Sequence, residues 1–191
     1  MRKLAVCVTF MNEKYRRQID EAAAAAGFMA HYYDTQAALT PHIGDYEVIF
    51  GHPVPALLRQ ATGLRWLCSD FAGVEKYLDD AVWPRPDCLL SNGSGAYGPT
   101  ISEHVIMVLL MLLRRMPEYQ ADLNRRLWTY HTPIRSIIGS RVVMLGTGDI
   151  GCNVARRLKA LGASVTGVCR SGVSDEPAFD QVLPLSGLDN V

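Results

Sequence analysis

The stretch from Arg141 to Gly151 constrains this chain more than any other. Arg-Val-Val-Met-Leu-Gly-Thr-Gly-Asp-Ile-Gly joins a short apolar run to three glycines at G-x-G-x-x-G spacing. The unbroken run at 142–145 predicts a strand covered on both faces, because a strand buried on one side alone alternates apolar and polar residues. Gly146 permits a tight turn, Gly148 lets a pyrophosphate approach the backbone with no Cβ in the way, and Gly151 lets the next helix pack close to the strand. A helix beginning there offers free N–H groups and a positive dipole end to an anion. The spacing therefore predicts a dinucleotide cradle made of Gly146, Thr147, Gly148, Asp149, Ile150 and Gly151.

The flanking sequence agrees. Ile150, Val154, Leu158 and Leu161 recur at helical spacing, Gly162 stands where a helix C-cap is expected, and residues 164–169 read as a second strand. Together these pieces make a complete βαβ unit.

Composition limits what such a unit can serve. With 191 residues, 49% of them hydrophobic, the chain can bury two small cores. Lysine plus arginine equals aspartate plus glutamate at 19 each, which leaves no overall field to hold nucleic acid or an anionic membrane. The five cysteines (Cys7, Cys68, Cys88, Cys152, Cys169) are odd in number and form no C-x-x-C pair, which argues against both a disulfide framework and a zinc site. A reducing, cytoplasmic compartment suits them. The apolar run at 4–10 is too short to span a membrane and lacks a following cleavage site, so it predicts a first strand rather than an export signal. Residues 105–113 are apolar without interruption, but His104 and Arg114 close a run half as long as a bilayer needs, which predicts a helix buried in protein.

Before the fingerprint, residues 4–8, 28–33, 47–50, 65–68 and 88–91 read as short strands, with helices at 12–26 and 56–61, and predict a small parallel α/β sheet. Ala72-Gly73-Val74-Glu75 follows the 65–68 strand at its carboxyl end, where open α/β sheets present loops to ligands. Its backbone N–H groups can form a nest for a carboxylate, although on spacing alone a helix-start turn is the simpler reading. The glycines and proline of Ser91-Asn92-Gly93-Ser94-Gly95-Ala96-Tyr97-Gly98-Pro99 mark a hinge between residues 1–97 and 98–191. Thr100 and Glu103 match a capping box, which predicts a long helix over 101–116. Its apolar surface is wider than one sheet face can bury and points to a partner subunit or to a wholly internal position. Pro117 should interrupt it, and a second helix through Tyr119, Leu123 and Leu127 leads by way of Trp128 and Pro133 into the fingerprint.

Ala72-Gly73-Val74-Glu75, Ile101-Ser102-Glu103-His104, Trp128, Ile138-Gly139-Ser140-Arg141 and Gly146-Thr147-Gly148-Asp149-Ile150-Gly151, in this order, make the chain resemble the D-isomer-specific 2-hydroxyacid dehydrogenases. The likeness covers nearly the whole chain, with the N-terminal third matching only in general pattern. It implies an α/β fold in which a flavodoxin-like substrate domain is followed by the first half of a Rossmann domain. It implies a homodimer built on the long helix, NAD or NADP as cofactor, and a small 2-oxo or 2-hydroxy acid whose carboxylate is held by Ala72, Gly73 and Val74. For a full-length relative it implies hydride transfer between nicotinamide and C2 of the acid, with an arginine holding the carboxylate and a histidine, tuned by a glutamate, passing the proton.

The chain departs from the family's pattern twice. An acidic residue about twenty positions after the glycines normally accepts the ribose 2′-OH of NAD. Here the strand ends Val168-Cys169-Arg170-Ser171, and the next acid is Asp175, beyond Gly172. With no carboxylate to repel a 2′-phosphate, and with Arg170 and Ser171 able to bind one beside Cys169, NADP is favoured over NAD. The second departure concerns chemistry. The family's catalytic arginine, glutamate and histidine belong to the later half of the Rossmann domain and beyond. None of the five histidines (His31, His42, His52, His104, His131) matches the family's acid, so all are expected to be structural or surface groups. No catalytic residue is expected within this chain, which reads as a fragment of a truncated gene, inactive alone. The alternative is a nucleotide-binding or dimerising module without the chemistry. A sheet cut after two or three strands leaves an unpaired edge, a further reason to expect an oligomer.

Overall fold

Short apolar strands separated by helices and turns force a parallel sheet, because each connection returns the chain to the same end before the next strand begins. The first half follows this rule. It contains β1 (Arg2–Cys7), α1 (Glu13–Ala25), β2 (Phe28–Tyr32), α2 (Gln36–Leu39), β3 (Val48–Gly51), α3 (Pro55–Leu58), β4 (Trp66–Cys68) and β5 (Leu89–Ser91). The strands pair in parallel in the order β2-β1-β3-β4-β5, the flavodoxin-like arrangement. This computed structural model describes residues 1–191 apart from the side chain of residue 190. It divides into two units, Met1–Ser94 and Gly95–Val191.

In the first unit, the Asn12 side chain accepts the Tyr15 N–H at 2.9 Å and starts α1, and Gly27, at φ +76°, turns the chain out of it. Ala5, Ile49 and Leu67 from the three central strands are fully buried with Leu39, Leu58 and Leu64. Truncating Ile49 or one of these leucines to alanine costs about 2–5 kcal/mol. Polar groups within this core are paired. The Tyr46 hydroxyl, pushed well up by burial and then by its hydrogen bond to Tyr33, meets His31 Nδ1 at 2.8 Å and the Tyr33 hydroxyl at 2.5 Å. The helix expected at 56–61 is shorter, because Gln60 and Ala61 bond three residues back to Leu57 and Leu58 as the chain tightens into turns.

The second unit contains α4 (Gly98–Leu113), α5 (Met116–Asn124), β6 (Arg141–Leu145), α6 (Asp149–Ala160), β7 (Ser164–Cys169) and β8 (Gln181–Pro184). The three strands pair in parallel in the order β6-β7-β8. Three expectations are corrected here. The long helix begins at Gly98 with Pro99 in its first turn, and no capping box forms. The Thr100 hydroxyl donates to the Tyr97 carbonyl at 3.2 Å, and Glu103 reaches instead toward Arg157 at 3.6 Å. The break after that helix falls at Arg115, which is left-handed at φ 57°, while Pro117 sits in the first turn of α5, where a missing N–H costs nothing. Strand β6 is not covered on both faces. It is the outermost strand of its sheet, Val142 and Met144 pack on the core beside α6, and Val143 and Leu145 stay 42% and 67% exposed.

The uniformly apolar α4 resolves into two faces. Ile106, Leu109 and Leu113, at helical spacing, pack against the buried Val154, Ala155 and Leu158 of α6. Met107, Val108, Met111 and Leu112 remain exposed, Leu112 by 62%, so the helix is not internal to this unit.

Candidate dinucleotide-binding site

The turn between β6 and α6 is fixed by backbone geometry. Gly146 stands at φ +100°, which a side chain would oppose, and its N–H donates to the Val168 carbonyl at 2.8 Å, tying the turn to the end of β7. A Cβ on Gly151 would collide with the Gly146 carbonyl oxygen, so the first turn of α6 lies directly against the loop. Gly148 is the N-cap of α6, has no side-chain cap, and faces open space: nothing lies within 4 Å of where its Cβ would be. A helix start with unsatisfied N–H groups and a clear approach is what an anionic diphosphate needs, and the residues present fit one.

The Asp149 side chain points away from that approach. Its carboxylate oxygens lie 2.5 and 2.6 Å from the position of a Cβ on Gly98, and Asn153 Nδ2 donates to Oδ1 at 3.1 Å. The carboxylate thus sits in the first turns of both α4 and α6, where two helix dipoles favour it. Its N–H remains at the start of α6. Gly98 was read only as part of a hinge, because nothing local in the sequence marks it as the floor for a carboxylate fifty-one positions away.

At the end of β7, Cys169 Sγ lies 3.4 Å from the Ser171 hydroxyl, and both approach the Val173 carbonyl, at 3.5 and 3.2 Å. Hydrogen bonding from Ser171, then from Thr147 in the glycine loop, pulls the Cys169 thiol down to about 7. The Ser171 hydroxyl is therefore occupied within its own turn. Arg170 is exposed and has no ion pair among the described residues. The Glu176 carboxylate is paired with Arg156.

In the first unit, Ala72, Gly73 and Val74 follow β4 as expected. Asn92 Nδ2 donates to the Ala72 carbonyl at 2.7 Å, and the Gly93 N–H to the Phe71 carbonyl at 3.0 Å. These bonds turn the loop's carbonyls toward the exit of β5. The N–H groups of Gly73 and Val74 meet no acceptor among the described residues. The Glu75 side chain curls back, its Oε2 2.9 Å from the Cβ position of Gly73. Beside this loop stands a pair that sequence reading passed over: His52 Nδ1 lies 2.8 Å from Asp70 Oδ1. His31 and His131 are structural as expected, the latter held by Asp122 at 2.8 Å.

Residues 106–191 match the family of the D-isomer specific 2-hydroxyacid dehydrogenase, NAD binding domain. The whole chain superposes on a D-isomer specific 2-hydroxyacid dehydrogenase family protein from Aeromonas salmonicida subsp. salmonicida A449, at 34% identity and a TM-score of 0.85. The chain belongs to the D-isomer-specific 2-hydroxyacid dehydrogenase family. With membership comes the family's architecture, an N-terminal parallel-sheet region followed by a Rossmann-like dinucleotide domain, and a cofactor class, the nicotinamide dinucleotides.

Other members are more distant. A glyoxylate/hydroxypyruvate reductase of Arabidopsis thaliana is 25% identical over 140 residues, and a D-lactate dehydrogenase of Staphylococcus epidermidis is 25% identical over 138. They align with 71% and 70% of this chain. The NAD-dependent formate dehydrogenase of Staphylococcus aureus, solved with NAD, shares the fold at a TM-score of 0.73 and 18% identity over 97% of this chain. The chain spans 60% of the Aeromonas protein, 61% of the formate dehydrogenase, and 43% and 42% of the two curated relatives. No helix among the described residues is long and apolar enough to cross a membrane.

Proposed function

We propose that these residues are the binding parts of a 2-hydroxyacid dehydrogenase, holding NADP in preference to NAD together with a small 2-oxo or 2-hydroxy acid. The observation that carries this reading is the open N-terminus of α6 at Gly148, reached over a turn that only glycines at 146 and 151 allow. When bound, the dinucleotide supplies hydride exchange with C2 of the acid. The N–H groups from Gly148 to Ile150 hold the diphosphate, with Thr147 and Gly151 shaping the cradle. Arg170 takes the 2′-phosphate, and the N–H groups around Gly73 hold the substrate carboxylate. None of the residues assigned here moves the proton or polarises the carbonyl, so by this reading they bind the cofactor and the acid and do not carry the chemistry.

The exposed side of α4 favours a second element of the proposal, that two copies pair through this helix. Met107, Val108, Met111 and Leu112 are exposed on it, and Trp128, in the segment after α5, is 100% exposed. Five unpaired thiols suit a reducing, cytoplasmic setting.

The test is calorimetric titration of the chain with NADPH and with NADH. Binding of both, tighter for NADPH, is expected. Absence of heat with either dinucleotide would overturn the reading.

A further inference from the structure

His52 leaves β3 and Asp70 leaves β4, neighbouring strands whose register pairs Phe50 with Cys68. Carrying that register two residues further sets His52 opposite Asp70, at the carboxyl ends of the sheet. The Asp70 side chain is 4% exposed and that of His52 28%. Burying a carboxylate is costly unless something pairs with it, and this one is used to grip an imidazole. The His52 backbone is gripped as well: Lys76 Nζ and Gln36 Nε2 donate to its carbonyl at 3.2 and 3.4 Å. Its ring meets Phe71 edge-on at 4.4 Å, and Phe71 directly precedes Ala72-Gly73-Val74.

A carboxylate accepts, so the proton facing Asp70 belongs to Nδ1, and in the neutral ring this leaves Nε2 as an acceptor. Nε2 has no protein partner and is not buried among the described residues. A ligand placed there does best with a hydroxyl to donate. We propose that His52, oriented by Asp70, is a positioning residue for the acid and selects 2-oxo acids with a hydroxyl on C3 over those whose C3 is a plain methyl group. This rests on the reading of Ala72, Gly73 and Val74 as the carboxylate loop. An acid anchored there carries C3 two carbon–carbon bonds beyond its carboxylate carbon, and Phe71, which the His52 ring meets, directly precedes the loop.

The experiment is calorimetric titration of this chain, with dinucleotide present, using 3-hydroxypyruvate and pyruvate on the wild type and on His52→Phe. Phenylalanine keeps the aromatic packing and removes both nitrogens. The wild type should prefer 3-hydroxypyruvate by roughly fivefold, as one hydrogen bond allows. His52→Phe should bind the two acids equally, with pyruvate affinity within about twofold of wild type. A preference unchanged by the substitution, or an equal loss for both acids, overturns the role of His52 alone. Failure of the wild type to bind either acid overturns the carboxylate loop as well. If His52→Phe does not fold, long-range proton–nitrogen correlation on the wild type decides: Nδ1–H is expected, and an Nε2–H imidazole refutes the proposal.

Discussion

The first turn of α6 rests on the loop it follows: Gly151 has no side chain because the Gly146 carbonyl oxygen occupies the space one would need. Gly148, three residues earlier, faces open space and has φ −80°, which any residue can adopt. The two positions should therefore fail differently. Gly151→Ala should cost about 1–3 kcal/mol of stability, read by denaturant unfolding. Gly148→Ala should leave stability within about 0.5 kcal/mol and weaken dinucleotide binding roughly tenfold or more, because its methyl would take the place proposed for the diphosphate. Equal unfolding penalties at both sites would contradict this account.

Arg170 stands exposed just past the end of β7 and has no ion pair among the described residues. Arg170→Ala should weaken NADPH binding by about tenfold or more and NADH binding by less than about twofold, because only the former loses a charge-assisted bond. Parallel titrations measure both. A loss shared equally would place Arg170 outside the selection of cofactor.

The Cys169 thiol, drawn down to about 7 by Ser171 first and Thr147 second, should be alkylated by iodoacetamide with a midpoint near pH 7. Ser171→Ala should move that midpoint toward the ordinary 9.0. Folding lowers this pKa, so the thiolate favours the fold fully above about pH 9 and that contribution fades as pH falls through about 7. A wild-type midpoint already near 9 would show that the hydrogen bonds do not hold the thiolate.

If α4 pairs two copies, a charge at its most exposed apolar residue should separate them. Leu112→Lys is expected to convert a sedimenting dimer to a monomer while helix content by circular dichroism stays unchanged, since Leu112 contributes nothing to the packing on α6. Wild-type protein sedimenting as a monomer at micromolar concentration would rule out the pairing.

Much of this was legible without coordinates. Strand and helix order follow from local periodicity. Gly27 and Gly146 adopt positive φ where the chain needed a residue without Cβ, and the spacing of Gly146, Gly148 and Gly151 carried the geometry of the turn into α6. Such features depend on residues a few positions apart, whose sterics are the same in any fold.

What a side chain meets across the fold was not legible. Residues 142–145 are apolar throughout, yet Leu145 is exposed, because among the described residues the core packs on only the face that carries Val142 and Met144. The same apolarity along α4 gave no sign that Ile106, Leu109 and Leu113 would be the ones to meet α6. That the Asp149 carboxylate would lie against Gly98, and that the β3–β4 register would set His52 against Asp70, had no local sign in the sequence. Apolarity and charge state what a residue tolerates. Which neighbour arrives to bury or pair it is decided by strand register and helix packing, and those bring together residues the chain keeps far apart.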